Sequence, residues 1–207
     1  MESIEQKKRQ ETAVLVLDAV AGALRPIPYW VGYKHEKYSS RHLPEGAIVA
    51  ELRETLLLNA QTRWRVLCEE QYSKILPGLE TGKDRADVVI RDGKGGPYLA
   101  VIEVKRGATI DKRAREDLEA LALIRSTDES IRTFFVQVTE AGRPREGLGE
   151  FGKADKSIRE HVGHGRTVRV RGAYRAVSHK GVKNPDGAVE IPVTAKSQHW
   201  AVLYEVE

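Results

Sequence analysis

The chain has 207 residues, with 34 Lys+Arg against 30 Asp+Glu, a net charge of +4, 41% hydrophobic and 31% charged residues. This length and balance suit one globular domain and exclude pervasive disorder, collagen and a disulfide scaffold. The single cysteine, Cys68, can close no internal disulfide, which points to a reducing, cytoplasmic setting.

Residues from about Ser3 to Leu24 are predicted as a helix, because Ala13, Val14, Leu17, Val20 and Ala21 recur at helical spacing. Pro26 and Pro28 end it. The most apolar run, Ala13 to Leu24, falls short of the roughly 20 residues that span a bilayer and contains Asp18, so no membrane span is expected. The opening Met-Glu-Ser-Ile-Glu lacks the basic start of a secretory signal.

A loop is expected over Tyr29–Pro44, where Tyr29, Trp30, Tyr33 and Tyr38 mingle with Lys34, Lys37 and Arg41. Aromatics among cations can stack bases and touch phosphates, or form an amphipathic flap over a core. Pro44 then opens a helix over 45–59, with Ile48, Val49, Leu52 and Leu56 on one face. Strands are predicted at Arg63–Tyr72, Ala86–Arg91 and Tyr98–Lys105. The last two are joined by Asp-Gly-Lys-Gly-Gly-Pro (92–97), a hairpin turn and not a phosphate loop, since no helix follows it. Asp111–Arg125 is a second amphipathic helix, with Ala114, Leu118, Leu121 and Ala122 on one side, and Arg132–Thr139 a fourth strand. Beyond lie a Gly/Arg-rich connection (141–152), a short helical stretch near 153–161, and strands near 167–177, 188–194 and 199–205.

Charge is unevenly spread. Residues 141–185 hold eleven basic and four acidic side chains, a net +7 that leaves −3 for the rest. A basic block on a mildly acidic body suits phosphate-backbone binding, or a solvated face of a basic protein.

The hairpin over 86–105 carries the chemistry. A turn centred near Gly95 makes opposed residue numbers sum to roughly 190, so Asp87 faces Glu103. Opposed residues share a face, with Cβ atoms about 4.5–5.5 Å apart. Lys105, two residues on, joins them. Two carboxylates that close repel unless a cation lies between them, and Mg²⁺ typically uses one or two carboxylates plus phosphate oxygens. Lysine beside such a site can orient a water or offset charge on phosphorus. The competing reading is a cross-strand salt bridge.

The run Arg-Ala-Asp87-Val-Val-Ile … Leu-Ala-Val-Ile-Glu103-Val-Lys105 resembles the core motif of the PD-(D/E)XK nuclease superfamily, with Ala86 where proline is common. The helix, three strands, helix, strand order of residues 45–139 is similar to that superfamily's core. The resemblance implies an α/β, restriction-endonuclease-like fold with a mixed sheet flanked by helices. It forms one domain over residues 1–207, with an N-terminal helix and loop (1–44) and a basic, β-rich C-terminal extension (140–207). It also implies a Mg²⁺-dependent DNA endonuclease in which Mn²⁺ substitutes, with Asp87 and Glu103 as metal ligands and Lys105 as the catalytic lysine. Restriction, defence and mobile-DNA processing are the settings it suggests. Family members often bring a glutamate from the preceding helix. Glu51 lies near the edge of the apolar stripe and Glu54 almost opposite it, so Glu51 is the expected residue. Glu70 is an outer candidate.

Lys34, Lys37, Arg41, Arg169 and Arg171 are the expected contacts to DNA, taken as double-stranded. Cutting both strands would call for a homodimer. Two alternatives stand beside this reading: a nuclease-fold binding or assembly subunit without catalysis, and an RNA-directed nuclease. His161 and His164 lack partners for a zinc site. Trp64 and Trp200 read as packing residues, and Cys68 as a small buried hydrophobe.

Overall fold

The structure is a computed structural model that describes residues 3–37, 43–78, 84–140, 160–177, 182–183, 189–190 and 198–207. Helix α1 (Ile4–Leu24) begins with a capping box: Ser3 Oγ accepts the Gln6 N–H and the Gln6 side chain accepts the Ser3 N–H. A second helix, α2 (Ile27–Lys37), replaces the expected loop over its first nine residues. Pro28 stands in its first turn, where a missing N–H breaks no helical hydrogen bond. Ile27 and Val31, one turn apart, are both fully buried. Gly32 lies so close to His199 that an added Cβ would come within 2.9 Å of the ring, which holds α2 against the sheet. Residues 38–42, with Tyr38 and Arg41, lie outside the described residues.

A window within Ile4–Lys34 has a mean hydropathy of 1.4 and is long and apolar enough to cross a membrane by length and composition alone, a test that a buried core helix also passes. The expectation stopped the run at Pro26, whereas the apolar pattern continues through α2. Val16, Val20, Ala23, Leu24, Ile27 and Val31 from this stretch lie in the core, and 44% of the window is buried.

Helix α3 (Glu45–Asn59) is followed by strand β1 (Trp64–Gln71), the single-turn helix α4 (Tyr72–Ile75), and strands β2 (Arg85–Asp92) and β3 (Tyr98–Arg106). Helix α5 (Lys112–Thr127) and β4 (Arg132–Thr139) complete the order expected for 45–139, with α4 as an insertion. Next come β5 (Glu160–Gly163) and β6 (Arg166–Val177), the two-residue strands β7 (Val182–Lys183) and β8 (Val189–Glu190), and β9 (Gln198–Val206). The helix expected near 153–161 falls outside the described residues except for Glu160 and His161, which open β5. Of the strand expected near 188–194, Val189–Glu190 is described as strand.

The result is an α/β fold on a mixed seven-stranded sheet of order β1-β2-β3-β4-β9-β6-β5. Only β3 and β4 in that sheet run parallel, joined through α5 as a crossover requires. The C-terminal strands extend this same sheet: β9 pairs with β4 and β6 with β9. Both faces are covered. Helices α1, α2 and α3 pack with Ile102, Val104, Val136 and Leu203 on one side, and α4 and α5 with Val101, Phe135, Val202 and Tyr204 on the other. The near-continuous apolar runs of β3 and β4 follow from burial on two faces.

An ion network fastens β9. Glu205 is buried, accepts from Arg132 Nε at 2.6 Å and pairs with Arg171. Arg132 also donates to the carbonyl of Ala13 and so ties α1 to the sheet. Removing one partner of such a buried network leaves uncompensated charge. Glu205→Ala should therefore lower the unfolding free energy by about 3 kcal/mol in urea titration. A loss no larger than that of an exposed pair would show the network to be solvent-screened.

Candidate functional site

Glycines at positive φ, Gly93 (67°) and Gly95 (85°), turn the β2–β3 hairpin. Val88 stands opposite Ile102, Val89 opposite Val101 and Ile90 opposite Ala100, so the register sums to 190. Asp87 and Glu103 are the next residues outward. On the other side of β2, pairing with β1 skips Asp87, because Glu69 takes a left-handed φ of 55° between the Cys68–Val88 and Glu70–Ala86 pairs. The Asp87 side chain turns to β3, where Oδ2 accepts the Val104 N–H at 2.7 Å.

Glu103 is fully buried, with an exposure of 0%. Its Oε1 accepts a hydrogen bond from the Tyr72 hydroxyl. Tyr72 reaches it from α4, whose start is pinned by the Tyr72 N–H donating to the Asp84 carbonyl at 3.1 Å.

Lys105 is 15% exposed, with Nζ 3.7 Å from Glu45 Oε1 and 3.9 Å from Asp117 Oδ2. Asp117 is 1% exposed and comes from the buried stripe of α5. Glu45, the first residue of α3, also accepts the Arg106 N–H at 2.9 Å through Oε2. Arg106 pairs with Glu140 at 3.3 Å, and Glu140 accepts the Leu43 N–H at 2.7 Å. These bonds fix the start of α3 over the ends of β3 and β4. Gln137, level with Lys105 on β4, donates to the Gly107 carbonyl at 2.9 Å and accepts from Tyr204 at 3.0 Å.

Burial pushes the Tyr72 phenol well above its ordinary range, and the charge of Glu103, their hydrogen bond, Asp117 and Asp87 push it the same way. Burial likewise raises the Cys68 thiol, against Arg53 and helped by Glu69, Asp87 and Glu54.

Asp87, Glu103 and Lys105 are therefore brought together at one end of the sheet. Glu51 is half-buried and lies six residues, about 9 Å, along α3 from Glu45. Glu45 is the α3 carboxylate that meets Lys105. Glu54 is exposed beside Arg53, and Glu70 pairs with Lys74 at 3.1 Å.

The expected DNA contacts are scattered. Lys34 lies over the Trp30 ring at 5.8 Å, Lys37 ends α2, and Arg41 is outside the described residues. Arg171 pairs with Glu205 and Glu207, and Arg169 with Glu207 at 3.9 Å. Arg169 stands opposite Glu205, which shares its strand face with Leu203 and Ala201 on the α1–α3 side. Glu103 and Lys105 follow Val101 on the other side. Both arginines thus face away from the acidic site and serve the ion network. His161 and His164 are exposed, and Trp64 is buried.

The sequence reading missed Tyr72, Asp117 and Glu45. For Asp117 a signal existed: it occupies the stripe between Ala114, Leu118 and Leu121, where an acid has no place unless paired.

Among the described residues no group of three or more His, Cys, Asp or Glu side chains is placed to hold a metal ion. Asp87 and Glu103 are two hard oxygen donors at neighbouring positions. This donor set fits a cation such as Mg²⁺, which takes one or two protein carboxylates and keeps water or phosphate on its other positions. Comparison of the chain with protein-family models, curated proteins and solved structures finds no match.

The Cys68 environment makes a direct check on this end of the sheet. A raised pKa means less thiolate at any given pH, so iodoacetamide should label Cys68 more slowly in the folded protein than in urea. The folded-state rate should continue to rise at pH values where the unfolded rate has levelled off. Equal profiles would place the thiol in open solvent.

Proposed function

We propose that the chain is a Mg²⁺-dependent nuclease of the PD-(D/E)XK type that hydrolyses DNA phosphodiesters. One juxtaposition carries this reading: Asp87 and Glu103 adjoin across one hairpin, with Lys105 two residues further along β3. The chain order α3-β1-β2-β3-α5-β4, with β3 and β4 parallel, supports a restriction-endonuclease-like core.

Asp87 and Glu103 would hold the ion. When bound, a divalent ion polarises phosphoryl oxygens and generates a nucleophile from water. Tyr72 and the Val104 N–H orient the two carboxylates. Lys105, steadied between Glu45 and Asp117, brings its ammonium to the edge of the site, where it can orient a water or offset charge on phosphorus. Tyr29 (62%) and Tyr33 (55%) are exposed on α2, which packs on the α1–α3 side of the sheet and not on the side of Glu103 and Lys105, so they do not line this site. Because one such site serves one phosphate, cutting both strands would take two copies of the chain.

The complete burial of Glu103 favours a second reading, a nuclease-fold binding subunit that does not cut. Incubation with plasmid and Mg²⁺ or Mn²⁺ separates the two. Wild type should nick or linearise DNA. Asp87→Asn and Lys105→Ala should each lose at least about 100-fold in rate, the scale expected for removing a positioned catalytic group. Lys105→Ala should retain DNA binding, measured by anisotropy in Ca²⁺. Binding without cutting in any divalent ion would establish the second reading, cleavage that survives Asp87→Asn would overturn the site, and preferential cutting of RNA in a parallel reaction would change the substrate.

A further inference from the structure

A cavity of about 750 Å³ opens where the N-terminal half of α1 meets the start of β4 and the last turn of α5. Clefts of roughly 300–1,000 Å³ are the usual size for small organic ligands. Its wall includes Arg132 and Glu205, on the α1–α3 side of the sheet and so opposite Glu103 and Lys105. Arg132 also stands five residues before Gln137, the neighbour of Lys105 on β4, or about 16 Å along the strand. The cavity thus shares neither face nor end with the acidic site.

Charge on its wall is incompletely answered. Glu5 pairs with Arg9 at 2.7 Å, Glu205 with Arg132 and Arg171, and Glu207 with Arg171 and Arg169. Asp92 and Glu129, the other acids of the wall, are taken by Arg63 at 3.2 Å and Arg166 at 2.8 Å, neither of which lines the cavity. Lys8 and Arg125 are left, and among the described residues neither has a carboxylate within ion-pair distance. Arg125 donates to the backbone carbonyls of Glu129 and Ile131. Burial pushes its guanidinium below the ordinary range, and Arg166 and Arg132 push it the same way while Glu205 opposes them. An anion in the cavity would relieve that crowding. The wall also holds uncharged hydrogen-bonding side chains, Gln10 and Thr12, and apolar surface from Ala13, Val16 and Leu99.

Two unanswered cations match a phosphate monoester, which carries about −1.5 to −2 charge at pH 7, better than a single carboxylate. Uncharged polar groups suit sugar hydroxyls, and apolar surface suits a flat base. We propose that this cavity binds a nucleoside monophosphate, with Lys8 and Arg125 on its phosphate. The proposal uses no residue of the acidic site and stands whether or not that site cuts DNA.

Titration calorimetry and thermal-shift titration of the full chain with adenosine 5′-monophosphate (AMP) test it. EDTA in every titration keeps divalent ions, and so the acidic site, out of the measurement. AMP should bind saturably and raise the melting temperature. Adenosine and inorganic phosphate, each lacking one half of the ligand, should bind at least about 10-fold more weakly. Lys8→Gln, at an exposed position, and Arg125→Gln should each weaken AMP binding by about 10-fold, the scale of one charge-assisted hydrogen bond. Lys7→Gln, at a neighbouring exposed lysine outside the cavity wall, should leave it unchanged. No saturable AMP binding, or adenosine or inorganic phosphate binding as tightly as AMP, would overturn the proposal. So would unchanged affinity in Lys8→Gln or in a folded Arg125→Gln. An equal loss in Lys7→Gln would show attraction to a basic surface only, and would overturn it too. Should Arg125→Gln fail to fold by circular dichroism, Lys8→Gln decides.

Discussion

A carboxylate removed from water must be compensated by hydrogen bonds or opposite charge, and Glu103 at 0% exposure imposes that demand on everything around it. The compensation is not local to β3. The Tyr72 hydroxyl that donates to Glu103 comes from α4, inserted between β1 and β2; the neighbouring Lys105 is itself paired with Glu45 from α3 and Asp117 from α5. Each helix reaches its place by packing an apolar face on the sheet: Ile48, Leu52 and Leu56 for α3, Leu118 and Leu121 for α5. The site and the two cores are therefore one structure. A cavity opened under α5 would move Asp117 and reach Lys105 without touching any polar residue of the cluster.

How much of this was legible depends on the range over which each residue acts. The β2–β3 hairpin was readable because its turn glycines and its register are local, and counting outward from Gly95 places Asp87 opposite Glu103. Helix α3 announced itself through Pro44 and its apolar stripe. Helix α2 did not, because Pro26 and Pro28 carry the signature of a break, while its reason for being helical is distant: Ile27 and Val31 meet the core and Gly32 meets His199, more than 160 residues away. Tyr72 was hidden for the same reason. Its position at the end of a strand says nothing about a glutamate 31 residues on. The apolar stripe separates Glu51 from Glu54 by telling which side of α3 faces the sheet, but not which turn overhangs the strand ends, where Glu45 lies.

The basic block shows a different limit. Net charge over 141–185 is a property of composition, whereas phosphate binding requires that cations lack carboxylate partners. Arg166 pairs with Glu129, Arg169 with Glu207, and Arg171 with Glu205 and Glu207, while Arg175 lies over the Trp200 ring at 5.7 Å. Arg169 and Arg171 both reach the Glu205 and Glu207 side of β9, and only the β6–β9 pairing decides that. With their charge answered by Glu205 and Glu207, they hold β6 to β9 at the edge nearest α1, and the count of +7 overstates the cation available to a polyanion.

Burial of Glu103 bears on both readings of the site. A fully enclosed carboxylate looks ill-suited to meet a ligand, yet exposure is graded outward from it, through Lys105 at 15% to Glu45 at 38%, with Asp87 half-buried alongside. Charge interactions strengthen as water is excluded, so a donor set back from solvent grips a cation harder than the same side chain on a rim, provided its own burial is supported when no cation is there. The Tyr72 hydroxyl supplies that support with a neutral donor. A phenol satisfies a buried carboxylate by hydrogen bonding without itself carrying a charge.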